Sequence, residues 1–164
     1  MLQYIGQGRV YFELNNVTGN IDVSVIEQFK KYKQTNFMSR EAGGILLGYL
    51  DLYSNGLLIE KCTVPCFGDK RTRFSFYRSN KHQKKAEKWW RETDEKGFSL
   101  GVWHTHPEPR PTPSSVDYAD FKQVIAASAF NSDYQLSIII GTEEFGVWMG
   151  DKNNNIQLVG YLPL

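Results

Sequence analysis

Phe98-Ser99-Leu100-Gly101-Val102-Trp103-His104-Thr105-His106-Pro107, followed downstream by Ser114 and Asp117, is the stretch around which the chain is organised. Phe98 to Trp103 mixes apolar and β-branched residues in alternation, the pattern of a half-buried strand. Side chains two apart on a strand leave the same face. If the strand runs through His106, both imidazoles therefore point the same way. Pro107 has no N–H to donate and ends the pairing. Pro107, Pro109, Pro111 and Pro113 then make a stiff, extended connector. A helix pattern opens at Ser114-Ser115-Val116-Asp117, with Val116, Ala119 and Ile125 at a period near 3.6. Asp117 falls in its first turn, where it can fold back toward the strand end. Two imidazoles and one carboxylate are a ligand set for catalytic zinc, with one position left open.

A blander reading of the same letters stands beside this one. Ser114 to Asp117 matches the capping box S-x-x-[DE], so both residues could serve only the helix N–H groups. The combination with the histidine pair is what favours a metal site.

The spacing His104-x-His106, seven residues, Ser114, two residues, Asp117 resembles the signature of the JAMM (JAB/MPN) metalloprotease family. That family also carries a glutamate upstream, on the strand after its first helix, and Glu41 stands in that place. The resemblance extends from the first strand to about Gly146. It implies a Zn²⁺ held by His104, His106 and Asp117, with Glu41 as general base and Ser114 as donor to the oxyanion. Taken without the resemblance, Glu41 reads as a surface carboxylate at the mouth of a buried strand. The glycines after it, Gly43 and Gly44, permit close backbone approach.

At 164 residues the chain is one domain, 1–164, long enough to bury a proper core. Lys+Arg 19 against Asp+Glu 18 leaves a formal charge of +1, so no global field favours nucleic acid or an acidic membrane. No apolar run reaches bilayer length and Met1-Leu2-Gln3-Tyr4 is no signal peptide, so the expected address is the cytoplasm. Cys62 and Cys66 are spaced C-x-x-x-C without a second pair and read as ordinary thiols rather than a structural zinc site.

Taken in order, Arg9–Leu14 alternates as a strand and Asn15 to Asn20 carries turn chemistry. Ser24-x-x-Glu27 reads as a capping box for a helix that turns Val25, Ile26, Phe29 and Tyr32 inward. Ile45 to Leu50 is a buried strand, Asn55-Gly56 a hairpin turn, and Leu57 to Val64 the returning strand. Thr72 to Tyr77 alternates as another strand. A helix capped by Ser79 or Asn80 is expected to run to Lys96 and close on Gly97, with Ala86, Trp89 and Thr93 inward. Its lysines are diluted by Glu87, Glu92, Asp94 and Glu95, which marks a solvated face rather than a nucleic-acid patch. Tyr134 to Gly141, Phe145 to Met149 and Ile156 to Leu162 are strands, the last two joined by a turn at Asp151 to Asn155. The order β-α-β-β-β-α-β-α-β-β-β is an α/β class: a mixed, curved sheet flanked by helices, as in the JAMM fold.

Softer positions narrow the resemblance. Asp69, Lys70, Arg71, Arg73, Phe74, Phe76, His82-Gln83 and Trp103 to Pro109 look like a small bacterial branch found in anti-phage (CBASS) operons and integrative elements. That branch implies an isopeptidase that removes a cGAS-like nucleotidyltransferase conjugated to target proteins through its C-terminus. The partners that branch implies are E1/E2-like conjugating enzymes, and the balanced charge adds the expectation of neither nucleic acid nor membrane. Two other readings compete: a catalytically silent scaffold domain of the same fold, and a processing peptidase for a ubiquitin-like or sulfur-carrier precursor. A binding role for Arg71, Arg73 and Arg78 is a third idea, against which surface salt bridges serve equally well.

Overall fold

Alternating strands in this chain cover one another by curling a single sheet. The computed structural model describes every residue except Phe130. Its strands are β1 (Leu2–Ile5), β2 (Arg9–Leu14), β3 (Val17–Asp22), β4 (Gly43–Asp51) and β5 (Gly56–Cys62), then the short β6 (Lys70–Arg71) and β7 (Phe76–Tyr77). They are completed by β8 (Gly97–Thr105), β9 (Tyr134–Ile140), β10 (Glu144–Asp151) and β11 (Ile156–Pro163). The helices are α1 (Val23–Lys30), α2 (Asn80–Glu92) and α3 (Ser115–Ser128).

Nine strands form one mixed sheet in the order β1-β2-β3-β5-β4-β8-β9-β10-β11. The β3–β5 and β8–β9 pairs are parallel and the rest antiparallel. Its two edges come together. Tyr4 Oη donates to the Pro163 carbonyl (2.8 Å) and Asn15 Nδ2 to Gln157 Oε1 (2.8 Å). The enclosed face holds the main core, where Phe12, Leu46, Trp103, Ile138 and Phe145 meet Val25, Ile26 and Phe29 of α1. The opposite face takes α2 through Ile45, Leu47 and Ala86, and α3 through Val102, Phe121 and Ile125.

A bulge in β8 sets which side chains go where. Leu46 pairs with Gly101 and Leu47 with Ser99, leaving Leu100 as the extra residue. Leu100 and Trp103, three apart, consequently both enter the main core, while Val102 turns toward α3. Gly101 sits at φ +148, and a Cβ there would collide with the Leu136 carbonyl oxygen of β9. Gly101→Ala is expected to cost ~2–4 kcal/mol. Urea unfolding should show this as a lower midpoint at unchanged slope.

Several sequence expectations need correction. Turn chemistry is confined to Asn15 and Asn16, both at positive φ, and Val17–Asp22 is a strand with Val17, Gly19 and Ile21 buried. Gly19 must lack a side chain because the Phe12 ring fills its space. The cap of α1 is Asp22, which accepts from Ser24 N at 2.8 Å, rather than a box from Ser24 to Glu27. Thr72 to Ser75 is a turn, closed by Thr72 N to Ser75 O (2.9 Å), so only Phe76 and Tyr77 are strand. α2 stops at Glu92, because Asp94 and Glu95 take positive φ and Thr93 Oγ1 accepts from Gly97 N (2.8 Å). Gly97 opens β8 instead of closing the helix. On α3 the inward residues are Phe121 and Ile125, whereas Val116 is 64% exposed. Leu2–Ile5 adds a strand that the sequence reading passes over. No helix among the described residues is long and apolar enough to cross a membrane.

Candidate metal centre and cleft

His104 lies at the end of β8, pairing with Gly43 of β4 on one side and Ile139 of β9 on the other. The strand formally ends at Thr105, yet His106 N still donates to Ile140 O at 2.8 Å. Both imidazoles therefore leave the same face, as their two-residue spacing requires. Their Nε2 atoms stand 3.1 Å apart.

The proline connector carries the chain to α3 and is held along its length. Thr142 N donates to Glu108 O (2.8 Å) and Glu144 N to Pro109 O (3.0 Å). Arg110 pairs with Glu144 and stacks on Tyr161, whose hydroxyl donates to Pro111 O (3.0 Å). So clamped, it starts α3 beside the histidines. Ser114 and Asp117 form the full capping box: Asp117 N donates to Ser114 Oγ (3.2 Å) and Ser114 N to Asp117 Oδ2 (2.6 Å). The same carboxylate reaches the imidazoles, with Oδ1 3.2 Å from His104 Nε2 and Oδ2 3.3 Å from His106 Nε2. Capping and facing the histidine pair are thus compatible jobs for Asp117.

Glu41 lies two residues before β4 and is 6% exposed. Its ligand atom and those of His104 and His106 all lie within 4.8 Å of one another. Both its backbone groups are taken: Glu41 N donates to Thr72 O (2.7 Å) and its carbonyl accepts from Arg71 Nε (2.8 Å). Above the cluster opens a cleft of about 470 Å³. Residues 74–78 line one side of it and Ser114, Val116, Asp117 and Asp120 the other. Arg78 pairs with Asp120 (3.1 Å) between the two sides.

Charges in the cluster are strongly coupled. Burial drives Glu41 up to about 8, with His106 working against the rise and Asp117 with it. Burial, joined by the charge of His106 and Arg78, outweighs Asp117 and lowers His104. Burial also pulls on His106, but Asp117, Glu41 and Glu108 outweigh it and raise that imidazole. Burial would raise Asp117, and hydrogen bonds from both histidines and Ser114 N hold it well below the usual carboxylate range instead.

The donor set fits a divalent transition-metal ion. Ligand atoms ~2.0–2.1 Å from a tetrahedral centre stand about 3.3–3.4 Å apart, close to the 3.1 Å between the two Nε2 atoms and to the 3.2 and 3.3 Å by which Asp117 approaches them, Oδ1 to His104 and Oδ2 to His106. His106 Nδ1 is buried without a hydrogen-bond partner, and Glu108 Oε1 lies 3.4 Å away, outside hydrogen-bonding geometry. A metal-bound imidazole normally donates its other N–H to such a carboxylate.

All five residues named from the sequence, Glu41, His104, His106, Ser114 and Asp117, line this one cleft. The arginines do other work: Arg71 holds Glu41, and Arg73 Nη1 donates to the Asn36 and Phe37 carbonyls. Cys62 is half-buried, and desolvation pushes its thiol up to about 12. Sequence reasoning named Asp69 and His82 separately, as positions that resemble the family branch, and missed that they form a buried pair with imidazole Nε2 3.0 Å from the carboxylate. A local signal for burial was His82 falling four residues before Ala86 on the inward side of α2.

Residues 24–155 match the family model described as prokaryotic homologs of the JAB domain. A protein named CD-NTase/cGAS isopeptidase from Pseudomonas aeruginosa is 35% identical over 119 residues, 72% of this chain and 73% of that one. Relatives of the same name from Escherichia coli and Vibrio cholerae are 30% and 28% identical, each over 80% of both chains. A solution structure of a Desulfitobacterium hafniense protein superposes with TM-score 0.57 over 82% of this chain and 85% of that one. At 21% identity it speaks to the fold alone. By the family match across most of its length, the chain belongs to the prokaryotic homologs of the JAB domain.

Proposed function

We propose that this chain is a zinc-dependent isopeptidase. It cleaves the amide that joins the C-terminus of a cGAS-like nucleotidyltransferase to a target protein. The observation that carries the reading is the convergence of His104, His106 and Asp117 beneath Glu41, at the floor of an open cleft. Similarity to three relatives named CD-NTase/cGAS isopeptidase supports the substrate class. A silent scaffold is disfavoured because the whole set of five residues is present.

His104, His106 and Asp117 would hold the ion. When bound, zinc polarises a carbonyl and brings the pKa of a water to around 7. Glu41 takes the proton from the attacking water and passes it to the leaving amine, so both halves of the proton transfer use one carboxylate. Ser114 Oγ already accepts from Asp117 N, which leaves its hydroxyl hydrogen free to donate to the developing oxyanion.

The tail of the conjugated protein lies extended along the cleft. Among the described residues β7 pairs with β6 alone, so its other edge keeps backbone groups able to take an added strand. E1/E2-like enzymes attach the substrate in the same cytoplasmic system.

Ser114→Ala separates the helix cap from the oxyanion role. Loss of an oxyanion donor costs ~2.7–4 kcal/mol of transition-state stabilisation, and loss of a cap about 1 kcal/mol of stability. We expect kcat to fall ~100- to 1,000-fold with a small drop in Tm. A variant that melts early yet turns over at full rate leaves Ser114 only its cap.

The reading as a whole is tested with a cGAS-like nucleotidyltransferase whose C-terminus is fused to a reporter. Mass spectrometry of the products should place the cut directly after the terminal residue of the tail, with cleavage abolished by chelator. Indiscriminate cutting of unfolded protein would overturn it. Selective cutting of a ubiquitin-like or sulfur-carrier precursor would move the function to processing.

A further inference from the structure

The hairpin that forms one side of the cleft stands outside the main sheet. Among the described residues its two strands, β6 and β7, pair only with each other. Its feet are tied by one carboxylate: Asp69 Oδ2 accepts from Cys66 N (2.7 Å) and Oδ1 from Ser79 N (2.9 Å). His82 Nε2 lies 3.0 and 3.1 Å from the same two oxygens. The Asp69 side chain is 0% and that of His82 1% exposed. Thr63 Oγ1 accepts from Ile45 N (2.7 Å) and meets His82 Nδ1 at 2.6 Å. Nε2 faces the Asp69 carboxylate, which can only accept, so it carries the proton donated there, and the Thr63 hydroxyl is placed to donate to Nδ1. Burial works to raise the Asp69 carboxyl, and these hydrogen bonds more than offset it, holding it well below the usual range.

The tip of the hairpin holds Glu41 from both sides, through Thr72 O and Arg71 Nε. Gln34 adds a second tie, donating from Nε2 to Arg73 O (2.8 Å) while Oε1 accepts from Thr105 Oγ1 (3.0 Å), between the two histidines. Phe76 packs edge-on against His82, with ring centroids 6.1 Å apart. β4 and β8 are secured independently within the nine-stranded sheet.

We propose that Asp69 and His82 are positioning residues: they fix the hairpin, and through it they hold Glu41 and one side of the cleft in place. As a statement about catalysis this rests on the isopeptidase reading above. The chain of contacts runs from Ile45 in β4 through Thr63, His82 and Asp69 to the hairpin feet, and from its tip to Glu41. Cys66 Sγ is 3.6 Å from His82 Nε2 and 3.7 Å from Asp69 Oδ1, a grouping that could also take a metal. Both Asp69 oxygens already accept backbone N–H groups and the imidazole proton, so the pair is complete without one.

Asp69→Asn, His82→Leu and His82→Gln test this. Asparagine keeps the shape of Asp69 but brings an N–H₂ against donors. Glutamine can still donate to Asp69 near the position of Nε2. Amide hydrogen exchange needs no substrate and reads the Glu41 N–H directly. In Asp69→Asn and His82→Leu we expect Glu41 and residues 70–78 to exchange at least ~10-fold faster, with β8 and β9 unchanged. On the conjugate, kcat should fall ~100-fold, as for a misplaced catalytic group, with bound metal retained. His82→Gln should recover most of it. In a Glu41→Gln background the same Asp69→Asn change should cost under ~3-fold, because the pair acts through Glu41.

Unchanged exchange and full kcat would overturn the proposal. So would faster exchange spread equally over β4, β8 and β9, or a second metal per chain that His82→Leu removes. If the wild type cleaves no conjugate, the isopeptidase reading fails, and exchange at Glu41 still decides the hairpin's role.

Discussion

Glu41→Gln should leave a folded protein that keeps its metal and loses ~10²- to 10⁴-fold in kcat. Glutamine matches glutamate in shape, and the backbone bonds to Thr72 and Arg71 involve only main-chain atoms of residue 41. Position and fold are therefore conserved, while the carboxamide can neither take a proton from water nor return it to an amine. Burial raises the carboxyl of Glu41 to about 8. A bound dication works in the opposite direction and favours the ionised base. Metal content by mass spectrometry and single-turnover cleavage, read on one preparation, check both halves. Loss of metal with the activity would make Glu41 a ligand instead of a base.

His104→Ala and His106→Ala should each lose the metal and all detectable cleavage. Mutating a group that merely supports a ligand weakens binding ~10- to 100-fold, so removing a ligand itself should exceed that. The fold should survive, because His104 pairs with both neighbouring strands and His106 bonds to Ile140 through backbone atoms that alanine keeps. Removing one imidazole also leaves Asp117 its bond from Ser114 N, so α3 stays capped. Circular dichroism should match that of metal-free wild type, and added zinc should restore nothing. Tight zinc in a variant lacking both histidines would remove the assignment.

What was legible before the structure depended on how local the determinant was. That His104 and His106 share a face follows from strand period, and that Asp117 sits in the first turn of the next helix follows from the connector and the capping box. The box by itself read equally well as a plain helix cap, and only the combination with the histidine pair and the family resemblance made Asp117 a ligand. Glu41 was different. No spacing rule ties it to the histidines, and it was singled out only by the family resemblance. Strand existence was mostly readable from alternation, but β3 was hidden by Asn, Thr and Gly. There the need was for Gly19 to admit the Phe12 ring, which no propensity expresses. The bulge at Leu100 was also hidden, because a strand with one extra residue still looks alternating on either side of it. Thr72 to Tyr77 misled in the opposite direction: its alternation is that of a turn and a two-residue strand. The Asp69–His82 pair joins a loop to a helix face, and such pairings exist only once the chain has folded.

Anomalous diffraction at the zinc edge, from crystals of protein purified without added metal, tests the centre of this account. The expected map holds one peak per chain, within bonding distance of His104, His106 and Asp117 and beneath the Glu41 carboxylate. A map with no peak there, or with its peak at Cys66, Asp69 and His82 instead, would contradict it.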